Sequence, residues 1–132
     1  MNKFIFAVVL FFVTPAFARY DVVVSKRQQA MSVYEDGELI DTWPVSTARP
    51  GYHTPSGTFR PYSYQPMHYS KKFDNAPMPH SIFFSGGYAI HATPHVGNLG
   101  RPASHGCVRL HPTHAATLYE MTKGEPTVIT IQ

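Results

Sequence analysis

Ser104-His105-Gly106-Cys107-Val108-Arg109-Leu110 is the stretch from which the rest of the chain can be read, because it holds the only cysteine of a 132-residue sequence that opens like an exported protein. An exported domain with a single thiol cannot close an internal disulfide, so Cys107 needs another reason to be present. One reason is chemical. A thiol attacks as its thiolate, and a nearby imidazole or backbone N–H groups aimed at the sulfur bring its pKa down toward the working pH. His105 stands two residues upstream, and on an extended segment residues i and i−2 emerge on one face, about 6.5–7 Å apart between Cα atoms. Gly106 between them leaves the amides of residues 106 and 107 open to a ligand. The other reason is packing, since an isolated cysteine also serves as a small buried apolar residue.

Upstream of this stretch, residues 92–103 carry Pro94, Gly97, Gly100 and Pro102 and predict a loop. Before it, residues 81–84 and 88–91 flank Ser85-Gly86-Gly87 and predict a hairpin that ends on a histidine, His91. Downstream, a helix is predicted after Arg109. Pro112 suits its first turn, Ala115, Leu118, Tyr119 and Thr122 fall at helical spacing, and Gly124 with Pro126 stops it. Thr127–Ile131 then reads as a β-branched strand. The chain's start predicts two or three antiparallel strands: Tyr20–Ser25 is rich in valine, residues 30–34 alternate, Glu35-Asp36-Gly37-Glu38 signals a turn, and residues 39–47 continue. Thr54-Pro55-Ser56-Gly57-Thr58-Phe59 predicts a turn feeding a short strand. Residues 61–80 hold Pro61, Pro66, Pro77 and Pro79 among tyrosines and lysines and predict a long ordered loop, a cleft wall or a mere connection. The fold class expected is mainly β with one or two helices.

With 43% hydrophobic and 14% aromatic residues, the chain has material for one compact domain and not two. Residues 1–18 are expected to lie outside it as a signal peptide. Asn2 and Lys3 form a short basic start, residues 4–13 are an unbroken apolar run, and Ala16-Phe17-Ala18 fits a signal-peptidase site. The apolar run is too short to cross a bilayer core of about 30 Å as a helix. The expectation is cleavage after Ala18, leaving residues 19–132 as a single exported domain in the periplasm or cell envelope, without stable membrane insertion. Eleven Lys and Arg against eight Asp and Glu give +3, and losing Lys3 with the leader leaves +2. This mild excess suits acidic polymers of the envelope. Lys26, Arg27, Arg49, Arg60, Lys71 and Lys72 are scattered, so no stripe for nucleic acid is formed.

The order Thr54-Pro55-Ser56-Gly57-Thr58-Phe59, Met78-Pro79, Gly87-Tyr88-Ala89-Ile90-His91, Ser104 to Leu110, one helix, and a last strand after Gly124 resembles the catalytic domain of bacterial L,D-transpeptidases. The resemblance extends over nearly all of the chain beyond residue 18. It implies a β-sandwich-like domain with a capping helix, an envelope location, no cofactor, and cysteine acyl transfer on the tetrapeptide stems of peptidoglycan. In such enzymes the thiol attacks the carbonyl of the third stem residue, a diamino acid, and expels the terminal D-residue. An amine then resolves the acyl-enzyme. That acceptor stays open among a stem diamino acid, a lipoprotein lysine and a free D-amino acid, or water takes its place and makes a carboxypeptidase or an amidase. The resemblance also implies that a carbapenem acylates the thiol.

Acyl transfer needs a nucleophile, a base, an orienter and donors for the tetrahedral oxyanion. Cys107 is the candidate nucleophile, and His105 and His91 compete as base. The resemblance favours His91, with the backbone carbonyl of Ala92 holding the ring in its useful tautomer, so that no triad aspartate is required. Backbone N–H groups at Gly106 and Cys107 are the candidate oxyanion donors. Arg109 reads two ways, as a bidentate grip on a stem carboxylate or as a tie to the loop of residues 92–103. His105, Ser104 and Tyr88 join it as candidate substrate-binding residues, while Ser104 also suits a loop hydrogen-bonder and Tyr88 a packed aromatic. His80 is a further candidate for the pocket border. It replaces an aromatic often found after Met-Pro, Ala92 stands where glycine often follows the base, and the loop from His91 to Ser104 is short. A different class is a zinc or copper protein, because five of the eight histidines fall between residues 91 and 114, near Cys107. Pro94 between His91 and His95, and the single thiolate, argue against it, and no metal is expected.

Overall fold

Alternation of apolar and polar residues builds the first sheet. In the computed structural model, which describes Ala7 and residues 18–132, strand β1 (Tyr20–Ser25) buries Tyr20, Val22 and Val24 on one face. Strand β2 (Ala30–Glu35) buries Met31 and Val33 and pairs antiparallel with β1, Val22 opposite Val33. Asp36 and Gly37, at φ 49° and 85°, make a two-residue turn with both central residues left-handed, which suits strand twist and leads into β3 (Glu38–Pro44). β3 stops short of the residue 47 expected, and Ser46 bridges to Arg109 instead, exchanging backbone hydrogen bonds of 3.1 and 2.9 Å. Thr54 to Phe59 leads, as read, into a short strand, β4 (Gly57–Phe59). The leader expected over residues 1–18 lies, but for Ala7 and Ala18, outside the described residues.

Residues 61–80 are not a loop. They form most of a long hairpin, β5 (Ser63–Ser70) against β6 (Ala76–Ser85). The prolines mislead because of where they fall. β5 is the edge of its sheet, where proline is tolerated, and Pro77 and Pro79 lie on the part of β6 that has outrun β7 (Tyr88–Ala92), whose pairing with β6 begins at Ile82. The loop that follows β7 contains one 3₁₀ turn (Val96–Asn98) and returns the chain to β8 (Val108–Leu110), parallel to β7. Helix α1 (Pro112–Thr122) starts on Pro112, with the His111 ring accepting from the Thr113 N–H at 3.1 Å, and ends before Gly124, whose φ of 81° breaks it. Strand β9 (Thr127–Ile131) completes the chain.

The strands make two sheets, one ordered β3-β2-β1-β9-β4 and the other β5-β6-β7-β8. Between them lies the core: Val22, Met31 and Ile129 from the first sheet, Ile82, Ile90 and Leu110 from the second, and Leu118 from α1, which packs on β6 and β7. Each such side chain contributes about 1.5–3 kcal/mol by leaving water. The fold is therefore mainly β with one α-helix, as the patterning predicts. Among the described residues no helix is long and apolar enough to cross a membrane.

Candidate active site

The second sheet presents its outer face to a cavity of about 780 Å³. Because β7 and β8 run parallel with Ile90 beside Val108 and His91 beside Arg109, the residues that alternate with the core-facing Ile90, Val108 and Leu110 share that outer face. They are Ala89, His91, Cys107 and Arg109, and the last three line the cavity. The β5–β6 hairpin of the same sheet forms another wall. Its cavity-facing residues are Ser63, Gln65 and Phe83 near β7 but His68, Ser70, Ala76 and Met78 beyond His80, so the alternation reverses where His80 takes a φ of 50°.

His91 is buried, with only 7% of its surface exposed. Its Nδ1 lies 2.7 Å from the carbonyl oxygen of Ala92. A carbonyl only accepts, so Nδ1 carries the proton and Nε2 keeps its lone pair. Burial pulls the ring's pKa down to about 4; the Ala92 hydrogen bond opposes this, and the Arg109 charge adds to the lowering. The imidazole is neutral at neutral pH.

Cys107 is half-buried, with Sγ 4.0 Å from the Gly87 carbonyl oxygen. Burial raises its thiol above the ordinary value, and a hydrogen bond from the Ala89 backbone and the charge of Arg109 offset this only in part. The lowering expected from the neighbouring residues is thus outweighed by desolvation. At rest the site holds a neutral thiol and a neutral imidazole, so the proton has to leave the sulfur as the attack proceeds.

His105 is directed elsewhere. Its Nε2 lies 2.6 Å from Arg49 Nη2, and because a guanidinium only donates, that nitrogen's lone pair is engaged. The ring stacks on Phe73 at 4.2 Å and leans on Tyr52 at 4.7 Å. Burial lowers its pKa, with Arg49 and Arg109 adding to the effect. Phe73 comes from the tip of the β5–β6 hairpin, so this cluster ties one rim of the cavity to the other. Nothing in local spacing announces it.

Gly106 has a φ of 139°, which disfavours any side chain, and a Cβ there would come within 2.6 Å of the Tyr88 ring and 2.9 Å of the His53 carbonyl oxygen. Glycine is required, but its amide is not open to a ligand as the sequence suggests. The Gly106 N–H donates to Ser104 Oγ at 3.0 Å, while its carbonyl accepts from Thr54 Oγ1 at 2.7 Å. Ser104 is fully buried and its hydroxyl donates to the Cys107 carbonyl at 2.6 Å, a hydrogen bond within the loop, on the border of the cavity. Tyr88 borders the cavity with its ring laid on Gly106. Arg109 Nη1 reaches the Ala103 carbonyl at 3.4 Å, in the loop of residues 92–103, and the half-buried guanidinium also lines the cavity. His80 lies off the site, edge-on to Tyr119 at 5.3 Å.

Among the described residues the cavity lining includes Lys71, Lys72 and Arg109 and no Asp or Glu, which makes it a place for anionic groups. His53, His68 and His95 line the cavity as well. His114 stacks on Trp43 at 4.9 Å beside His111, and among the described residues no three of His, Cys, Asp and Glu come together as a metal would need.

A thiol, a one-proton imidazole and a cationic cleft on this sheet order agree with one known family, and residues 19–131 match its model, the YkuD L,D-transpeptidase catalytic domain. The chain belongs to the L,D-transpeptidase catalytic-domain family. A Bacillus licheniformis protein named as the L,D-transpeptidase YkuD is 27% identical over 96 residues, 70% of this chain and 53% of that protein. Among solved structures, an L,D-transpeptidase from Mycobacterium smegmatis is 27% identical with a TM-score of 0.81, over 87% of this chain and 59% of the other. One from Stackebrandtia nassauensis is 29% identical with a TM-score of 0.77, over 90% and 57%. The L,D-transpeptidase domain described here therefore spans about half the length of the curated relative and under three fifths of these solved chains.

Proposed function

We propose that this chain is the catalytic unit of an envelope L,D-transpeptidase that joins Cys107, as a thioester, to the third residue of a peptidoglycan tetrapeptide stem. One observation carries the proposal: His91 Nδ1 is committed to the Ala92 carbonyl at 2.7 Å, so the free lone pair belongs to Nε2, on the sheet face that also bears Cys107. Membership of the family supports the substrate class, and the basic start followed by an apolar run supports export.

In the first half-reaction His91 Nε2 takes the Cys107 proton as sulfur bonds to the carbonyl carbon of the third stem residue. Negative charge collects on that carbonyl oxygen, where the Cys107 N–H is the donor, the Gly106 N–H being already given to Ser104. The intermediate collapses by breaking the C–N bond, and the departing amine of the terminal D-residue takes the proton from His91. In the second half-reaction an acceptor amine gives its proton to His91 and attacks the thioester carbonyl. The C–S bond then breaks and the sulfur recovers the proton. Arg109, Lys71 and Lys72 suit the carboxylates that stem peptides carry. A main-chain orienter in place of an aspartate leaves the imidazolium formed in each step without a counter-charge, which keeps His91 ready to return its proton.

The test is to incubate the enzyme with a purified disaccharide-tetrapeptide, with and without an amine acceptor, and to read product masses. Loss of the terminal D-residue with gain of the acceptor is expected. Loss without gain makes water the acceptor, and an unchanged tetrapeptide in both arms overturns the proposal.

A further inference from the structure

The loop that bears the sulfur is braced from behind by a residue that does not line the cavity. Thr54 is 1% exposed, and its hydroxyl is used twice, accepting from the Ala48 N–H at 3.0 Å and donating to the Gly106 carbonyl at 2.7 Å. Its own carbonyl is in turn held by Lys26 Nζ at 2.9 Å. The Gly106 carbonyl and the Cys107 N–H belong to a single planar peptide unit, which is trans, as are all peptide bonds among the described residues. In a trans unit these two groups point in opposite directions. Fixing the carbonyl on Thr54, on the side away from the cavity, therefore aims the Cys107 N–H toward the cavity side. Backbone packing reinforces this. The His53 carbonyl and the Tyr88 ring crowd the side of Gly106 on which a Cβ would project and limit rotation of that peptide.

We propose that Thr54 is a positioning residue for acyl transfer: through the Gly106 carbonyl it sets the direction of the Cys107 N–H that meets the oxyanion. The proposal rests on Cys107 being the acylated nucleophile but not on which peptide it attacks. Losing an oxyanion donor outright costs about 10²–10³ in rate, so a misaimed donor is expected to cost about tenfold to a hundredfold. Thr54→Val removes the hydroxyl at nearly constant shape, and Thr54→Ser keeps it.

Two reactions of Cys107 separate aim from general disturbance. Acylation by p-nitrophenyl acetate builds an oxyanion; alkylation by iodoacetamide, a displacement at a saturated carbon, does not. Intact-protein mass spectrometry reads both. Thr54→Val is expected to acylate about tenfold to a hundredfold more slowly while alkylating within about twofold of the parent, and Thr54→Ser to recover acylation. Equal losses in both reactions, or no loss in acylation, overturn the proposal. Should Thr54→Val fail to fold, Lys26→Met loosens the same brace from its other end. A drop of about threefold in acylation relative to alkylation is expected there, and an unchanged ratio overturns the proposal. A parent enzyme that is acylated by the ester yet leaves stem peptides untouched removes the peptidoglycan reading and spares this one.

Discussion

The two faces of the β7–β8 pair carry opposite kinds of residue on one backbone. Toward α1, Ile90, Ala92, Val108 and Leu110 are at most 2% exposed and belong to the apolar core. Toward the cavity, His91, Cys107 and Arg109 place a proton acceptor, a thiol and a cation within one cleft. Burial moves the pKa of all three away from the charged form, so the reactive face is held against its own desolvation by what the other face contributes. Period-two alternation is what separates the two tasks. Substitutions on the cavity face should therefore change rate with little change in stability, and those on the core face the reverse.

The largest break in this comparison is Cys107→Ala, which should abolish thioester formation while the thermal unfolding midpoint stays close to the parent's. Residual crosslinking in that variant would remove the nucleophile from the mechanism. Next, His91→Ala should lower turnover by about 10²–10⁴-fold, the range of general acid–base catalysis, read as kcat on the disaccharide-tetrapeptide. On the other face, Leu110→Ala should cost about 2–5 kcal/mol in urea unfolding with kcat per folded enzyme nearly unchanged. A loss of rate without loss of stability there would mean that the faces are not separable.

pH sharpens the comparison further. His91 has a pKa of about 4 in the fold against an ordinary 6.5, so on acidification the unfolded chain takes up this proton first. Stability contributed by the neutral, buried ring is present above pH 6.5 and is lost as pH falls from there toward 4, on the order of 3 kcal/mol in all. Urea titrations at both ends of this window should show a clearly larger loss in the parent than in His91→Gln. The smallest effect belongs to His105→Ala. It removes the Arg49 contact and the stack on Phe73, both at the rim, and should raise KM a few-fold with kcat nearly unchanged. A reversed ranking of the two histidines would reassign the base.

Much of the frame is legible without coordinates. β1, β2 and β9 announce themselves by β-branched alternation, and α1 by Pro112, its apolar spacing and Gly124. The β5–β6 hairpin does not, because proline tolerance depends on whether a strand is at an edge, and edges exist only once the sheet is assembled. Around Cys107 the residue types point to acyl transfer, but their partners lie far off in the chain. Thr54 reaches Gly106 across 52 residues and Arg49 reaches His105 across 56, distances over which no spacing rule operates.

By itself the sequence determined the strands and helix that alternation and capping encode, the lone thiol in its Ser-His-Gly-Cys setting, and the family that this setting marks. Only the tertiary structure decided that residues 61–80 wall the cleft, that His105 turns to Arg49, that the Gly106 amide is spent on Ser104, and that burial keeps both thiol and imidazole neutral at rest. The division has a physical cause. Backbone preference and apolar period act over a few residues and survive in the linear text, whereas hydrogen-bond partnership and desolvation depend on which distant segments come to lie against each group.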